Sequence, residues 1–214
     1  MQDFRKEFLD FAINSGVLKF GQFTLKSGRS SPYFFNTGLF NSGAGLAQLG
    51  RYYARAILQS GIEFDMIFGP AYKGIPLAAA TTIALADHHG LDIPYAFDRK
   101  EAKDHGEGGN IVGAPLTGRV LIIDDVITSG LSAGYSIDLI REQGATAAGF
   151  VVSLDRKEKM PGSSISALQS LQQEQSLPVF SIATLDDLVE LLNQDSEKTA
   201  TLSAITSYRE QYGC

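Results

Sequence analysis

Two periods of apolar residues take turns along this 214-residue chain. Phe4, Phe8, Phe11 and Ala12 recur at helical spacing before Gly16, which predicts an amphipathic helix over residues 2–15. Short strand-like pieces follow at 17–20, 23–25 and 32–35, broken by Gly21 and Gly28, and predict a small hood. Beyond them, apolar runs at 65–69, 93–97, 120–123, 147–154 and 178–183 alternate with helical patterns at 44–60, 75–86 and 132–144. Two more amphipathic helices are predicted at 185–192 and 202–212. Strand, loop and helix in repetition predict an α/β fold, a mainly parallel central sheet flanked by helices. Residues 1–214 read as a single domain, with residues 1–40 contributing the helix and the hood.

The most informative run is Val120, Leu121, Ile122 and Ile123, apolar without a break as a strand buried on both faces requires, and ended by two carboxylates, Asp124 and Asp125. The chain then passes through Val126 and Ile127 into Thr128, Ser129, Gly130, Leu131 and Ser132, mostly small or hydroxylated, and enters a helix. Unsatisfied N–H groups and the positive end of a helix dipole favour a phosphate dianion at such a turn. The two aspartates suit sugar hydroxyls or a divalent cation instead, and as neighbours on a strand they face opposite ways, so their roles should differ. A phosphate cradle beside diol-binding carboxylates describes a ribose 5-phosphate pocket.

Other polar groups stand at the same kind of boundary. The turn at residues 70–74 carries Tyr72 and Lys73 between a strand and a helix, where Lys73 either faces a second phosphate group or starts a surface helix. After the strand at 93–97 comes a charged run, read as a loop over residues 98–109, holding Arg99, Lys100, Lys103 and His105; it is either a functional lid or a solvated surface. Arg156 follows the run at 147–154, placed to grip a carboxylate or imide, with an exposed pair to Asp155 as the alternative. Lys26 and Arg29 make a basic turn in the hood, for which a solvated hairpin tip is the default. Of the adjacent Phe34 and Phe35, one ring faces the core and the other is free to stack on a flat base.

Composition narrows the partners. A net charge of −6 disfavours a broad nucleic-acid or anionic-membrane surface, so an anionic ligand must be met by a few placed cations and backbone donors. The one cysteine, Cys214, permits no internal disulfide and suits a reducing compartment. Asp3 and Glu7 interrupt the N-terminal apolar residues and no run of 18 apolar residues exists, which predicts neither signal peptide nor membrane span and a cytoplasmic location. Gly130 to Gly134 fits the Gly-x-Ser-x-Gly pattern of a hydrolase elbow, but all three histidines precede Ser132 and six residues, 124–129, separate the strand from Gly130, so that pattern is discounted.

The stretch from Val120 to Ser132 resembles the signature of the type I phosphoribosyltransferases, and its Asp-Asp-Val-Ile-Thr-Ser-Gly form is most similar to the orotate branch. The resemblance spans nearly the whole chain. It implies that Lys26 and the Phe34–Phe35 pair form the hood over the base, that Tyr72 and Lys73 face pyrophosphate, and that Arg99, Lys100, Lys103 and His105 belong to a catalytic loop reaching into a neighbouring subunit of a homodimer. It further implies that Asp124, Asp125, Val126, Ile127, Thr128, Ser129, Gly130, Leu131 and Ser132 hold phosphoribosyl pyrophosphate, with Thr128 also near the base, and that Arg156 orients orotate. Lys103, His105, Arg99 and Lys73 are the implied catalytic group. Mg²⁺, held mainly by substrate oxygens, is the implied cofactor for a polyanionic leaving group. Two other readings share the fold: transfer to another base, and a non-catalytic sensor of phosphoribosyl pyrophosphate. The retained Lys103 and His105 and the acidic surface speak against the sensor.

Overall fold

The computed structural model describes residues 3–25, 27–103, 109–127 and 131–214, with the backbone alone at 3, 100–103, 109, 131 and 132. In chain order the elements are α1 (Asp3–Asn14), β1 (Leu18–Thr24), β2 (Ser30–Phe35), α2 (Gly43–Ser60), β3 (Met66–Gly69), α3 (Gly74–His89), β4 (Tyr95–Lys103), β5 (Gly109–Gly113), β6 (Arg119–Ile123), α4 (Leu131–Glu142), β7 (Thr146–Asp155), α5 (Ala167–Gln175), β8 (Val179–Thr184), α6 (Leu185–Asn193) and α7 (Thr199–Tyr212). A one-turn 3₁₀ helix, Thr37–Leu39, joins β2 to α2 and is capped by the Asn36 side chain.

Six strands form one sheet in the order β5-β4-β3-β6-β7-β8. All pairs are parallel except β4–β5. β6 lies inside the sheet because its apolar run can be covered on both faces: Val120, Leu121, Ile122 and Ile123 are all fully buried. Alternation then divides them. Leu121 and Ile123 join the core shared with α1, α2, α3, α6 and α7, whereas Val120 and Ile122 pack with Ile137 and Ile140 of α4 and Leu168 and Leu171 of α5. Parallel strands between helical layers put every strand-to-helix turn, including those after β3 and β6, at the carboxyl edge of the sheet.

β1 and β2 form a separate antiparallel hairpin, with Leu18 opposite Phe35 and an irregularity between Phe20 and Phe23. This is the expected hood. Phe35 faces inward against Phe8 at 6.4 Å between ring centroids, while the half-buried Phe34 lies on Phe23 at 5.5 Å.

Three expectations change. The charged run is not a loop throughout: β4 continues to Lys103 and residues 109–113 return along it, with Asp98 opposite Ile111 and Lys103 opposite Gly109. A two-stranded arm satisfies its backbone by cross-strand hydrogen bonds and needs no apolar alternation, so its charged sequence concealed it. The basic hairpin turn is not simply solvated either, because Arg29 donates to the Lys159 carbonyl at 2.9 Å and lies over the Tyr212 ring at 4.8 Å. Finally, α5 was not anticipated. It starts at a Ser166–Gln169 capping box but buries only Ala167, Leu168 and Leu171 of a glutamine-rich segment. Among the described residues, no helix is long and apolar enough to cross a membrane.

Candidate active site

The turn after β3 is shaped by two glycines. A Cβ on Gly69 would stand 2.1 Å from the Gly74 carbonyl oxygen, and one on Gly74 would stand 2.6 Å from Pro70 Cδ and 2.9 Å from the Ile123 carbonyl oxygen. Only hydrogen at these positions lets the turn fold back beside the end of β6. Pro70 accepts from the Gly74 amide at 2.9 Å, and the Asp98 carboxylate accepts from the Ala71 amide at 2.6 Å. Asp98 is buried, so it fixes the turn from the neighbouring strand. The Ala71–Tyr72 peptide is cis. Tyr72 is exposed, and Lys73 begins α3 with its side chain extended across the sheet edge.

There the two turns meet. Lys73 Nζ donates to Asp125 Oδ2 at 2.5 Å and lies 3.5 Å from Asn36 Oδ1. Thr37 Oγ1 donates to the same Asp125 oxygen at 3.2 Å. Asp125 Oδ1 accepts from the Val126 amide at 2.7 Å, which bends the chain away from β6. The Asp125 carbonyl accepts from Ser153 Oγ at 2.5 Å and from the Ser153 amide at 2.9 Å. One carboxylate thus joins the hood linker, the β3 turn and the β6 turn.

Asp124 differs, as the opposite orientation of neighbours predicts. Its carbonyl accepts from Tyr53 Oη at 2.8 Å, and its carboxylate accepts only the Asp125 amide among the described residues, also at 2.8 Å. Burial, then the negative charges of Asp125 and Asp98, push its carboxyl up to about 7, with the amide bond and Lys73 opposing. A carboxylate so poorly solvated, and with most of its lone pairs uncommitted, suits hydroxyl donors from a ligand.

Arg156 stands at the same edge, after β7. Its alternative partner, Asp155, accepts instead from the Lys157 amide at 2.8 Å. The guanidinium contacts Glu158 Oε1 through Nε at 2.8 Å and Nη2 at 2.7 Å, and lies over the Tyr33 ring at 4.4 Å. Arg99 is half-buried in β4. Lys26, His105, Thr128, Ser129 and Gly130 lie outside the described residues, as do the side chains of Lys100, Lys103, Leu131 and Ser132. Val126 and Ile127 are half-buried in the turn. Among the described residues, no three His, Cys, Asp or Glu side chains gather as a metal ligand set.

Sequence reasoning missed Asn36, Thr37, Tyr53 and Asp98. Asn36-Thr37-Gly38 carried a turn signal, since asparagine before glycine caps a short turn, whereas the contacts of Tyr53 and Asp98 arise only in the folded chain.

A model of the phosphoribosyl transferase domain matches residues 38–186. Curated orotate phosphoribosyltransferases of Stutzerimonas stutzeri and Yersinia enterocolitica are 58% and 55% identical to the chain, each over all of both proteins. The crystal structure of orotate phosphoribosyltransferase from Francisella tularensis superposes with a TM-score of 0.89 at 45% identity, covering 97% of this chain and 100% of that one. A matching domain model, full-length identity above half and a shared three-dimensional structure agree: the chain belongs to the orotate phosphoribosyltransferase family.

Proposed function

We propose that the chain transfers the 5-phosphoribosyl group of phosphoribosyl pyrophosphate to N1 of orotate, giving orotidine 5′-monophosphate and pyrophosphate in pyrimidine nucleotide synthesis. The whole chain acts as one phosphoribosyltransferase domain, with residues 1–40 supplying α1 and the hood. The observation that carries this reading is the Lys73–Asp125 pair beneath Asn36 and Thr37, which makes one site of two strand-end turns and the hood linker.

In this reading the turn at residues 128–132 encloses the 5-phosphate with amides and hydroxyls, and Asp124 and Asp125 receive the ribose hydroxyls. Nitrogen N1 of orotate attacks C1 of the ribose, the bond from C1 to the pyrophosphate oxygen breaks, and the electron pair leaves with pyrophosphate. Tyr72 and Lys73 line the pyrophosphate side. Arg99, Lys100 and Lys103 belong to β4 and His105 follows them in sequence; together they neutralise the leaving charge, exclude water, and through Lys103 or His105 deliver a proton. Arg156 orients the orotate carboxylate, while the Phe34–Phe35 segment, Lys26 and Thr128 border the ring.

Mg²⁺, when bound, supplies charge neutralisation at the pyrophosphate oxygens. Its hard-oxygen preference fits the chemistry of Asp124 and Asp125, but Asp125 is already engaged by Lys73 and Thr37, so the ion would take its ligands mainly from the substrate. The enzyme works as a homodimer whose arm completes the neighbouring subunit's site, and in the cytoplasm, in keeping with its one exposed cysteine. An assay of orotate consumption tests the reading. Turnover is expected with phosphoribosyl pyrophosphate and Mg²⁺, falling at least about tenfold on chelation. Consumption of another base in preference to orotate would reject it, and sedimentation as a single chain at assay concentration would reject the shared site.

A further inference from the structure

Arg156 does not stand alone. Its guanidinium, the Arg29 guanidinium and the Glu158 carboxylate form a cluster with side chains only 16%, 17% and 15% exposed. Glu158 Oε1 receives Nε and Nη2 of Arg156 and the Tyr33 hydroxyl, the last at 3.4 Å. Its other oxygen lies 3.9 Å from Arg29 Nη1. Arg156 Nη2 also reaches Ser31 Oγ at 3.3 Å, and the buried Tyr208 hydroxyl lies beside both Arg156 and Glu158, so among the described residues Nη1 is the nitrogen of that guanidinium with no carboxylate partner.

Glu158 is itself held from two sides. The hood provides the Tyr33 ring against one face of the guanidinium and the Ser31 hydroxyl at its edge. The C-terminal segment provides the other wall, because the Lys159 amide donates to the Tyr212 carbonyl at 2.9 Å, the Cys214 amide donates to the Lys157 carbonyl at 3.0 Å, and Glu158 pairs with Gly213 as an antiparallel bridge. The alternative reading of Arg156 paired it with Asp155; the carboxylate that holds it is Glu158, three residues beyond Asp155.

A planar guanidinium with two of its edges engaged can present only the remaining one, in one plane. The charges also do not balance. Two guanidiniums meet one carboxylate in a poorly solvated place, and an unpaired buried charge is unfavourable until an opposite charge arrives. A singly anionic ring substituent supplies it. Resting on the assignment of Arg156 to orotate above, we infer that Glu158 is a positioning residue for base recognition: it fixes the plane of Arg156, aims Nη1 at the substrate carboxylate, and with Arg29 leaves the site one positive charge in surplus.

The test is a comparison of Michaelis constants for both substrates. Glu158→Gln keeps the side-chain shape but weakens its hold on both arginines, and is expected to raise KM for orotate about tenfold or more while KM for phosphoribosyl pyrophosphate stays within about twofold. An unchanged orotate KM in a folded variant, or equal rises for both substrates as in a general loosening, overturns the inference. Arg156→Gln separates this from failure of the parent reading. If it leaves orotate KM unchanged, Arg156 does not bind the base; if it raises that constant and Glu158→Gln does not, the positioning role alone is wrong. Should Glu158→Gln not fold, Tyr33→Phe decides, since it keeps the ring beneath Arg156 and removes only the hydroxyl donated to Glu158. A two- to fivefold rise confined to orotate, roughly the worth of one hydrogen bond, supports the inference and no rise overturns it.

Discussion

Lys103→Ala is expected to lower kcat about 10²–10³-fold, the scale for losing one preorganised group that stabilises charge in a transition state. Pyrophosphate departs from a sugar carbon carrying its charge with it, and a cation already in place needs no reorganisation when the bond breaks. The arm is suited to bring one. β4 ends at Lys103, and its buried Asp98 is bonded to the Ala71 amide of the turn read as facing pyrophosphate, so the root of the arm and that turn are joined. Steady-state rates with saturating substrates check the effect, and an unchanged kcat would remove Lys103 from the chemistry. A rise in KM with kcat preserved would reassign it to binding.

Asp124→Asn is expected to make the fold more stable at pH 8 and the enzyme worse. The Asp124 carboxyl is pushed up to about 7 by burial and by Asp125, against an ordinary value of 3.8 in the unfolded chain. Between those values the native state holds a proton that the unfolded chain has lost, so unfolding free energy falls as pH rises from about 4 to 7. By pH 8 the burial of the charge weakens the fold by as much as roughly 4 kcal/mol, from about three pKa units at 1.36 kcal/mol each. Asparagine removes that charge. Thermal unfolding should therefore show the variant gaining on the wild type at pH 8 and losing that advantage toward pH 4. The same variant should bind phosphoribosyl pyrophosphate about tenfold or more weakly, because hydroxyl bonds to a charged acceptor are the stronger kind. A pH-independent difference in stability would place the charge elsewhere, and equal affinity by titration calorimetry would refute the diol role.

How much of this was legible in the sequence depends on the range of each interaction. β6 and the acidic pair were readable because a strand covered on both faces leaves an unbroken apolar run, and the carboxylates mark where cover ends. The helices with a clear apolar stripe and a glycine stop, α2 above all, were readable for the same local reason. The partners of the acidic pair were not. Thr37 reaches Asp125 across 88 residues and Asp98 reaches Ala71 across 27, and neither contact has a local signature. The β4–β5 arm was hidden because its pairing is made by the backbone, and side-chain pattern is silent about backbone pairing. Arg156 was visible as a cation at a strand end. Its engagement by Glu158 was not, since that depends on how the hood and the C-terminal segment close over it.

In the proposed reaction the turn after β6 holds the ribose phosphate while Asp124 and Asp125 face the sugar. Crystals of the full chain grown with orotidine 5′-monophosphate test it most directly. The expected result is phosphate density enclosed by residues 128–132, ribose hydroxyls within hydrogen-bond distance of the two carboxylates, and the base carboxylate against Arg156. Phosphate bound at any other turn, with the carboxylates facing solvent, would contradict it.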